Sequence, residues 1–421
     1  MTNSAADRSG DARTRSAWRR RLFAVGASLL VVFVLPELLL RWFGPDTSAY
    51  RAIRFGGDAN SERLFVKDRD LQWALRANAR LPFLGVEVQT DAQGFRVAGD
   101  RELGSGDGCC VLCVGDSTTF GWGVAGDETF PARLEAALRR RQPERHWSVH
   151  NAGVPGYSSE QVRRAAARWI PRLQPEVVVV CVGNNDAWPA RTSDRQALAP
   201  GLARSIVDVL SRSALLSWAA GSLRGSAAEN PIYFADDAVP RVSEGEMVEN
   251  LTAIIDLARR HDARVVVLGA PANLHFPPRN VDDEIQRNRA LGDNIYAEIQ
   301  RGRVDAARKL AAEALAGDPD SIYFQWLDAM ITALAVDPAR GRDELEAVFE
   351  RHPYPDRARR SYRQRQGAVA AAAGIPFADV NELFLSGRSA EAARQLYLDW
   401  CHPTSEGHRL MAMRLLTWIA E

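Results

Sequence analysis

Asp399 and His402 are the pair of side chains in this 421-residue sequence that first suggests chemistry. In a turn, a separation of three residues lets the carboxylate meet one imidazole nitrogen, which fixes the tautomer and leaves the other nitrogen free to take a proton. Of the seven histidines, only His402 has an aspartate three residues before it. The pair predicts a base able to activate an alcohol, although one such coincidence is also common by chance.

Ser117 is the alcohol that we expect this base to serve. It follows the apolar run 110–114, in the sequence Gly115-Asp116-Ser117. A serine between a buried strand and a helix is held rigidly at the edge of a sheet, and the helix N-terminus there stabilises developing negative charge. Serine is also a preferred helix N-cap, so the position alone does not establish a nucleophile.

Two further loops contain candidate donors of hydrogen bonds to an oxyanion. Residues 151–157 include glycines, whose backbone N–H can approach a ligand closely. In residues 183–186 the Asn185 side chain could supply a second N–H, and one such donor contributes about 3 kcal/mol to transition-state stabilisation. Both compositions are equally typical of tight turns.

Alternating strands and helices must hold these loops together. Apolar runs predict strands at 110–114, 147–150, 177–182, 264–268 and 375–380, and 3.6-residue periodicity predicts helices at 128–141, 159–173, 247–261 and 405–420. Such alternation indicates a parallel sheet covered on both faces, with its chemistry at the carboxyl ends of the strands.

The order of the four blocks resembles that of the SGNH, or GDSL, hydrolase family over residues 106–280 and 362–421. The resemblance implies a flavodoxin-like three-layer α/β/α sandwich around a five-stranded parallel sheet. It also implies that Ser117 is the nucleophile, that His402 is the general base and then acid, and that Asp399 orients His402.

The same resemblance assigns the remaining site residues. The oxyanion hole would comprise the N–H groups of Ser117 and Gly156 and the amide of Asn185. Gly156 is preferred over Gly153 because relatives place this donor five residues after the asparagine of the block. Asp116 and Asp186 match positions that support the loops, the acyl group would pass to Ser117 and then to water, and no cofactor or metal is implied. Cys401, beside His402, is an alternative nucleophile.

The N-terminal segment predicts attachment to a membrane. Six arginines lie in residues 1–21. Residues 22–43 are apolar except for Glu37 and Arg41, and this segment is long enough for a helix that spans the bilayer. The positive-inside rule then makes 1–21 a cytoplasmic tail of a single-pass protein in a bacterial inner membrane, with the catalytic domain in the periplasm. A cleaved signal peptide and a buried soluble helix are the alternatives.

The rest of the chain is predicted to be a juxtamembrane segment, 44–105, and a hydrolase domain, 106–421, interrupted by a helical insertion at 281–361. Helices ending near 317 and spanning 322–336 and 343–351 give the insertion a loose likeness to a tetratricopeptide unit. A single unit cannot bury a repeat core, so an insertion packed on the main domain is favoured. It could act as a lid, a substrate platform or a docking surface for a protein partner.

Composition excludes several classes of protein. Arginine plus lysine and aspartate plus glutamate both number 53, so no overall field attracts nucleic acid. Five cysteines do not make a disulfide scaffold. A zinc site at Cys109, Cys110 and Cys113 lacks a second pair of ligands at a useful distance.

These observations together predict a membrane-tethered serine esterase. The expected substrate is an acylated small molecule or polysaccharide, with removal of acetyl or another short acyl group from a cell-envelope or exported polysaccharide as the leading expectation. A lipid esterase, an O-acyltransferase and a non-catalytic envelope scaffold that uses the helical insertion are the alternatives.

Overall fold

The computed structural model describes residues 18, 21, 23–43, 60–99, 109–201, 213–216, 218, 238–279, 281–353 and 355–420. The chain divides into two compact units, one of Met1–Ile53 with Pro200–Glu229 and one of Arg54–Ala199 with Asn230–Glu421. The predicted basic tail lies almost wholly outside the described residues.

The first unit contains helix α1, Phe23–Phe43, which is long and apolar enough to cross a membrane. A signal sequence near an N-terminus can be equally long and apolar. The Glu37 carboxylate in α1 accepts hydrogen bonds from the Ser213 hydroxyl at 2.7 Å and from the backbone N–H groups of Ala214 and Leu215 at 2.9 Å. Glu37 is thereby paired with a second segment of the same unit, and it also forms a salt bridge at 2.6 Å with Arg41, one turn further along α1.

The second unit is built on an eight-stranded sheet. In chain order the strands of this unit are β1 Phe65–Asp68, β2 Gln72–Leu75, β3 Arg80–Phe83, β4 Val86–Thr90, β5 Arg96–Val97, β6 Cys110–Gly115, β7 Ser148–Gly153, β8 Val177–Val182, β9 Pro189–Ala190, β10 Val239–Pro240, β11 Arg264–Gly269 and β12 Phe377–Asp379. The large sheet has the order β12-β11-β8-β6-β7-β5-β4-β3, while β1 pairs with β2 and β9 with β10. The predicted α/β class with a central, mostly parallel sheet is confirmed.

Five parallel strands form the part of this sheet that the sequence predicted. Their spatial order is that of flavodoxin-like folds, 2-1-3-4-5 when they are counted along the chain. Val177–Val182 is buried at every position, as expected of a central strand covered on both faces. Cys113 and Cys181 lie in this core as small apolar side chains.

The sheet extends further than predicted, because part of the segment called juxtamembrane belongs to it. β3, β4 and β5 add three antiparallel strands beyond β7, with Arg96 paired to Asn151. The two-residue β5 carries little sequence signal of its own, and its place depends on the edge that β7 presents.

The helices of this unit lie between the strands and in the insertion. They are α2 Ser61–Leu64, α3 Ser117–Phe120, α4 Phe130–Arg141, α5 Ser159–Leu173, α6 Asp194–Ala197, α7 Glu244–Arg260, α8 Asp282–Arg287, α9 Arg289–Gln300, α10 Val304–Gly317, α11 Ile322–Ala335, α12 Pro338–Arg351, α13 Arg360–Ala373, α14 Val380–Leu385, α15 Ala390–Arg394 and α16 Ser405–Ile419. The helix predicted at 343–351 begins earlier, at Pro338, because the Asp337 side chain caps it by accepting from the N–H groups of Ala339 and Arg340.

The helices α8 to α12 have a hydrophobic cluster of their own, which includes Tyr323, Trp326 and Leu345. Leu274, from the loop after β11, belongs to the same cluster, and its carbonyl accepts a hydrogen bond from Trp326 Nε1 at 3.0 Å. The insertion is therefore packed against a loop of the sheet domain.

Candidate active site

The structure brings Ser117, His402 and Asp399 together at the carboxyl end of the sheet. Ser117 Oγ lies 2.8 Å from His402 Nε2. On the other side of the ring, His402 Nδ1 lies 2.7 Å from Asp399 Oδ2. Residues 285 positions apart in sequence thus form one hydrogen-bonded chain from alcohol to imidazole to carboxylate, the arrangement that allows a serine to lose its proton as it attacks.

Asp399 is held as a carboxylate in this chain. Burial acts to raise its pKa, but the charge of His402 and hydrogen bonds from the His402 ring and from the N–H groups of Cys401 and His402 lower the pKa below its ordinary value. The negative charge that would stabilise a protonated imidazole is therefore present at neutral pH.

Ser117 is the first residue of α3, directly after β6. The Asp116 side chain caps this short helix by accepting from the Thr118 N–H at 2.9 Å. Ser117 has only 6% of its surface exposed, so its side chain is fixed by packing rather than free to rotate into solvent. The turn places the hydroxyl at the edge of the sheet, as its position in the sequence predicted.

The two glycines of the second block have different roles in the structure. The Gly153 N–H donates to Asn151 Oδ1 at 3.1 Å, and a Cβ at Gly153 would lie 2.2 Å from the Phe120 nitrogen, so this glycine allows β7 to pack against α3. Gly156 has φ +79° and lies in the turn before α5. Among the described residues its N–H has no acceptor, which leaves it available to a ligand.

Asn185 follows β8 and lies at the same edge of the sheet as Ser117. Only 7% of its surface is exposed. One hydrogen of its amide is used, because Nδ2 donates to the Tyr157 carbonyl at 3.0 Å. That bond fixes the amide against the loop that carries Gly156 and leaves the second Nδ2 hydrogen for another acceptor.

Asp116 and Asp186 are both fully buried acids that hold loops. Asp186 Oδ1 accepts from the Ser159 N–H at 2.7 Å, at the start of α5. Burial raises the pKa of Asp116 to about 6 and that of Asp186 to about 7. Each carboxylate therefore costs free energy when it is ionised near neutral pH.

Residues that the sequence analysis did not single out position the oxyanion loop. Trp73 Nε1, from β2, donates to the Pro155 carbonyl at 3.0 Å and so fixes the peptide that carries the Gly156 N–H. Arg241 donates to the Gly156 carbonyl at 2.8 Å and to the Asp194 carboxylate. No local motif marks either residue, since each acts through a loop distant in sequence.

Arg96 is another residue near the site that the sequence analysis missed. It is 4% exposed, and its guanidinium donates to the carbonyl of Phe120, the last residue of α3, and to those of Gly121 and Val124 beyond it. It also lies over the Phe120 ring, 4.5 Å from the centroid. A buried arginine on β5 thus holds the turn that follows the nucleophile helix.

Aromatic rings surround the imidazole. The Trp122 ring is stacked on the His402 ring, with centroids 5.0 Å apart and an interplanar angle of 17°. The Trp400 ring meets His402 edge-on at 5.9 Å, and the Arg279 guanidinium lies 4.1 Å from the Trp400 centroid. Trp122 and Trp400 are both partly exposed, so they form an aromatic border beside the catalytic chain.

Cys401 does not have the environment of a nucleophile. It is 3% exposed, and burial together with the nearby Asp399 charge raises its pKa well above the ordinary value, which keeps the thiol protonated. Its sulfur and donor atoms of Asp399 and His402 lie within 4.8 Å of one another. Within this group the Asp399 carboxylate and the His402 imidazole are already hydrogen-bonded to each other.

Residues 113–323 match the model of the GDSL-like lipase/acylhydrolase family. No curated protein matches the sequence.

Several solved structures are similar to this one. An α/β hydrolase from the metagenome of Lake Arreo is 16% identical, with a TM-score of 0.36, over 75% of this chain and 97% of its own. An acetylxylan esterase from Geobacillus stearothermophilus is 14% identical, with a TM-score of 0.36, over 76% and 97%. A GDSL-like lipase from Bacteroides thetaiotaomicron is 15% identical, with a TM-score of 0.35, over 74% and 87%.

Proposed function

The chain belongs to the GDSL-like lipase/acylhydrolase family and is a serine hydrolase that acts on esters, and from that premise we propose that it removes a short acyl group from a cell-envelope or exported polysaccharide. The acyl group passes through an acyl-enzyme on Ser117. The observation that carries this proposal is the unbroken hydrogen-bonded chain from Ser117 Oγ through His402 to Asp399.

In the proposed first step, His402 Nε2 takes the Ser117 proton as Oγ attacks the ester carbonyl. The Asp399 carboxylate holds the ring and stabilises the imidazolium that forms. Negative charge develops on the carbonyl oxygen, and the Ser117 and Gly156 N–H groups with the second Asn185 amide hydrogen receive it. The tetrahedral intermediate collapses when His402 returns the proton to the leaving alcohol.

In the second step, water replaces the alcohol. His402 takes a proton from the water as it attacks the acyl-enzyme, and the same three donors stabilise the second tetrahedral intermediate. Ser117 recovers its proton from His402, and the carboxylic acid leaves. The cycle requires a neutral imidazole at its start.

Trp122 and Trp400 support a sugar as the alcohol portion of the substrate. Their rings border His402, which delivers the proton to the leaving alcohol, so that portion must lie beside them. Aromatic faces bury the apolar C–H surface of a partner while leaving its hydroxyl groups to solvent. A pyranose ring offers such a surface next to an acylated oxygen.

Helix α1 and the arginines before it support a single-pass anchor in the inner membrane of a bacterium, with the N-terminus in the cytoplasm and the catalytic domain in the periplasm. An enzyme so placed acts where envelope and exported polysaccharides pass. Fusion of alkaline phosphatase after Glu421 tests the topology, because that enzyme is active only outside the cytoplasm. An active fusion that stays in the carbonate-washed membrane supports the anchor, whereas a soluble fusion cut after the apolar segment indicates a signal peptide.

Hydrolysis of p-nitrophenyl acetate by the full chain tests the esterase mechanism. Ser117→Ala should lower kcat/KM by about 10³-fold or more and abolish labelling by a fluorophosphonate. Cys401→Ala is the matched control, since it alters the neighbour of His402 and should keep both activity and labelling. Equal loss in the two variants would contradict an acyl-enzyme on Ser117.

Release of acetate from an acetylated glycan tests the substrate class. Trp122→Ala and Trp400→Ala should raise KM for the glycan more than for ethyl acetate, because the alcohol portion of this small ester has no ring to lie against the indoles. A competing sugar acceptor that becomes acetylated would instead indicate an acyltransferase.

A further inference from the structure

Glu37 is an acidic residue within the apolar helix α1, which ends at Phe43. At about 1.5 Å per residue, Glu37 lies about 9 Å along the helix axis from that end. In the proposed anchor α1 crosses the whole hydrocarbon core, so the carboxylate lies inside the leaflet on the periplasmic side. An ionisable group at such a depth is costly and needs partners there.

The partners of Glu37 come from α1 itself and from the Ser213 segment, by which we mean residues 213–216 and 218. Arg41 forms the salt bridge at 2.6 Å. Oε2 accepts from the Ser213 hydroxyl at 2.7 Å and from the Leu215 N–H at 2.9 Å, and Oε1 accepts from the Ala214 N–H at 2.9 Å. Because these contacts are direct, the segment lies at the same depth as the carboxylate.

Apolar side chains of the Ser213 segment are left uncovered beside these contacts. Leu216 and Trp218 have 43% and 45% of their surfaces exposed, and the apolar side chains of α1, such as Phe33, are exposed as well. In the sequence no charged residue occurs from position 213 to position 223. Tryptophan is favoured near the boundary between hydrocarbon and headgroups, because its ring is apolar and its N–H is polar.

From the depth of Glu37, its donors and the exposed apolar side chains next to them, we infer that the Ser213 segment is a second membrane contact of this protein. It is embedded in the periplasmic leaflet, held there by the Glu37 carboxylate, and Leu216 and Trp218 lie against lipid acyl chains. The inference rests on the proposed anchor and adds a part of the chain that is too short and too far from α1 in sequence to be recognised as a membrane segment.

The Ser213 segment belongs to the connection between α6 and β10 of the hydrolase unit. Within that unit the two ends of the connection are held side by side, because β9 pairs with β10 and Arg241 forms a salt bridge with Asp194 at 2.8 Å. The hydrolase unit is therefore joined to the bilayer by both arms of this connection as well as by the chain that follows α1.

Photo-crosslinking of the full chain in nanodiscs of phosphatidylethanolamine and phosphatidylglycerol tests the inference. The photoreactive amino acid p-benzoylphenylalanine replaces Leu216, Phe33 or Met413 in separate proteins, and intact mass spectrometry measures the fraction that gains one phospholipid. Phe33 reports on the anchor, and Met413, as exposed as Leu216 but on α16, gives the background. We expect phospholipid adducts at positions 216 and 33 well above those at position 413.

The positions distinguish a failure of this inference from a failure of the anchor. An adduct at position 33 with only background at position 216 overturns the inference and leaves the anchor in place. Background at both positions overturns the anchor and the inference with it.

Variants of Glu37 test what holds the segment in the leaflet. Glu37→Leu removes both acceptors and should lower the adduct yield at position 216 by about tenfold or more, while the yield at position 33 stays the same. Glu37→Gln keeps one oxygen acceptor and should give an intermediate yield. Leu38→Ala changes the next residue but leaves the carboxylate, so it is the matched control and should keep the wild-type yield. An unchanged yield at position 216 in Glu37→Leu would overturn the role of the carboxylate.

Discussion

The indole Nε1–H of Trp73 donates to the carbonyl of Pro155 at 3.0 Å. That carbonyl and the Gly156 N–H belong to one peptide plane, so the indole fixes the direction in which the N–H points. The Tyr157 hydroxyl donates in turn to the Trp73 carbonyl at 2.6 Å, and the two rings meet edge to face. A residue of β2 thus positions a group of the proposed oxyanion hole.

Trp73→Phe tests this positioning role. Phenylalanine keeps a buried aromatic ring but cannot donate to Pro155, so the peptide loses its fixed orientation. We expect kcat for p-nitrophenyl acetate to fall about tenfold, with KM little changed, because an oxyanion donor acts mainly in the transition state. Tyr157→Phe is the control, since it removes the bond to the Trp73 carbonyl and leaves the bond to Pro155. Equal kcat in wild type and Trp73→Phe would contradict the role.

The Asp399→Asn variant should be nearly inactive, although the asparagine side chain is almost the same size as that of aspartate. An amide that donates to His402 Nδ1 would leave the ring proton on Nε2, the nitrogen that must accept from Ser117. We expect kcat to fall by about 10³- to 10⁴-fold, with recovery as the pH is raised and hydroxide takes over the role of base. A pH–rate profile of the variant beside the wild type is the measurement. A profile that merely scales down without changing shape would contradict the tautomer argument.

Asn185→Ala and Asn184→Ala form a matched pair at the end of β8. Asn185 offers a free amide hydrogen to the oxyanion, whereas Asn184 Oδ1 accepts from the Ala358 N–H at 3.0 Å and so connects β8 to the end of the insertion. We expect Asn185→Ala to lower kcat by about 10²- to 10³-fold. Asn184→Ala should lower the melting temperature and leave kcat within about threefold. The reverse pattern would exchange the roles of the two asparagines.

The sequence predicted those strands, helices and site residues whose defining pattern lies within a few neighbouring residues. Val177–Val182 is apolar at every position, and Asp399 and His402 meet within one turn, so both could be interpreted from a few residues. Arg96 and Trp73 could not, because their partners are backbone carbonyls far along the chain that any sequence could supply. Before residue 106, the alternation over Val86–Thr90 predicts the strand that the structure has there. No local pattern shows that this strand and its neighbours extend the main sheet.

Asp186 should make the stability of the protein depend on pH. An aspartate in the unfolded chain has a pKa near 3.9, whereas burial raises the pKa of Asp186 to about 7 in the folded protein. Between these two values the folded state binds more protons than the unfolded state, so the free energy of unfolding contributed by this group falls as pH rises. The contribution is fully lost above about pH 7.

Asp186→Asn removes this titration and keeps an oxygen for the Ser159 N–H. Relative to the variant, wild type should lose a few kcal/mol of unfolding free energy between about pH 4 and pH 7, measured by urea denaturation of the full chain in nanodiscs at several pH values. Asp256→Asn, on the exposed face of α7, is the control and should follow the wild type. Parallel curves for wild type and Asp186→Asn would mean that the buried carboxyl keeps its ordinary proton affinity, because only a shifted group makes the difference between the two proteins change with pH.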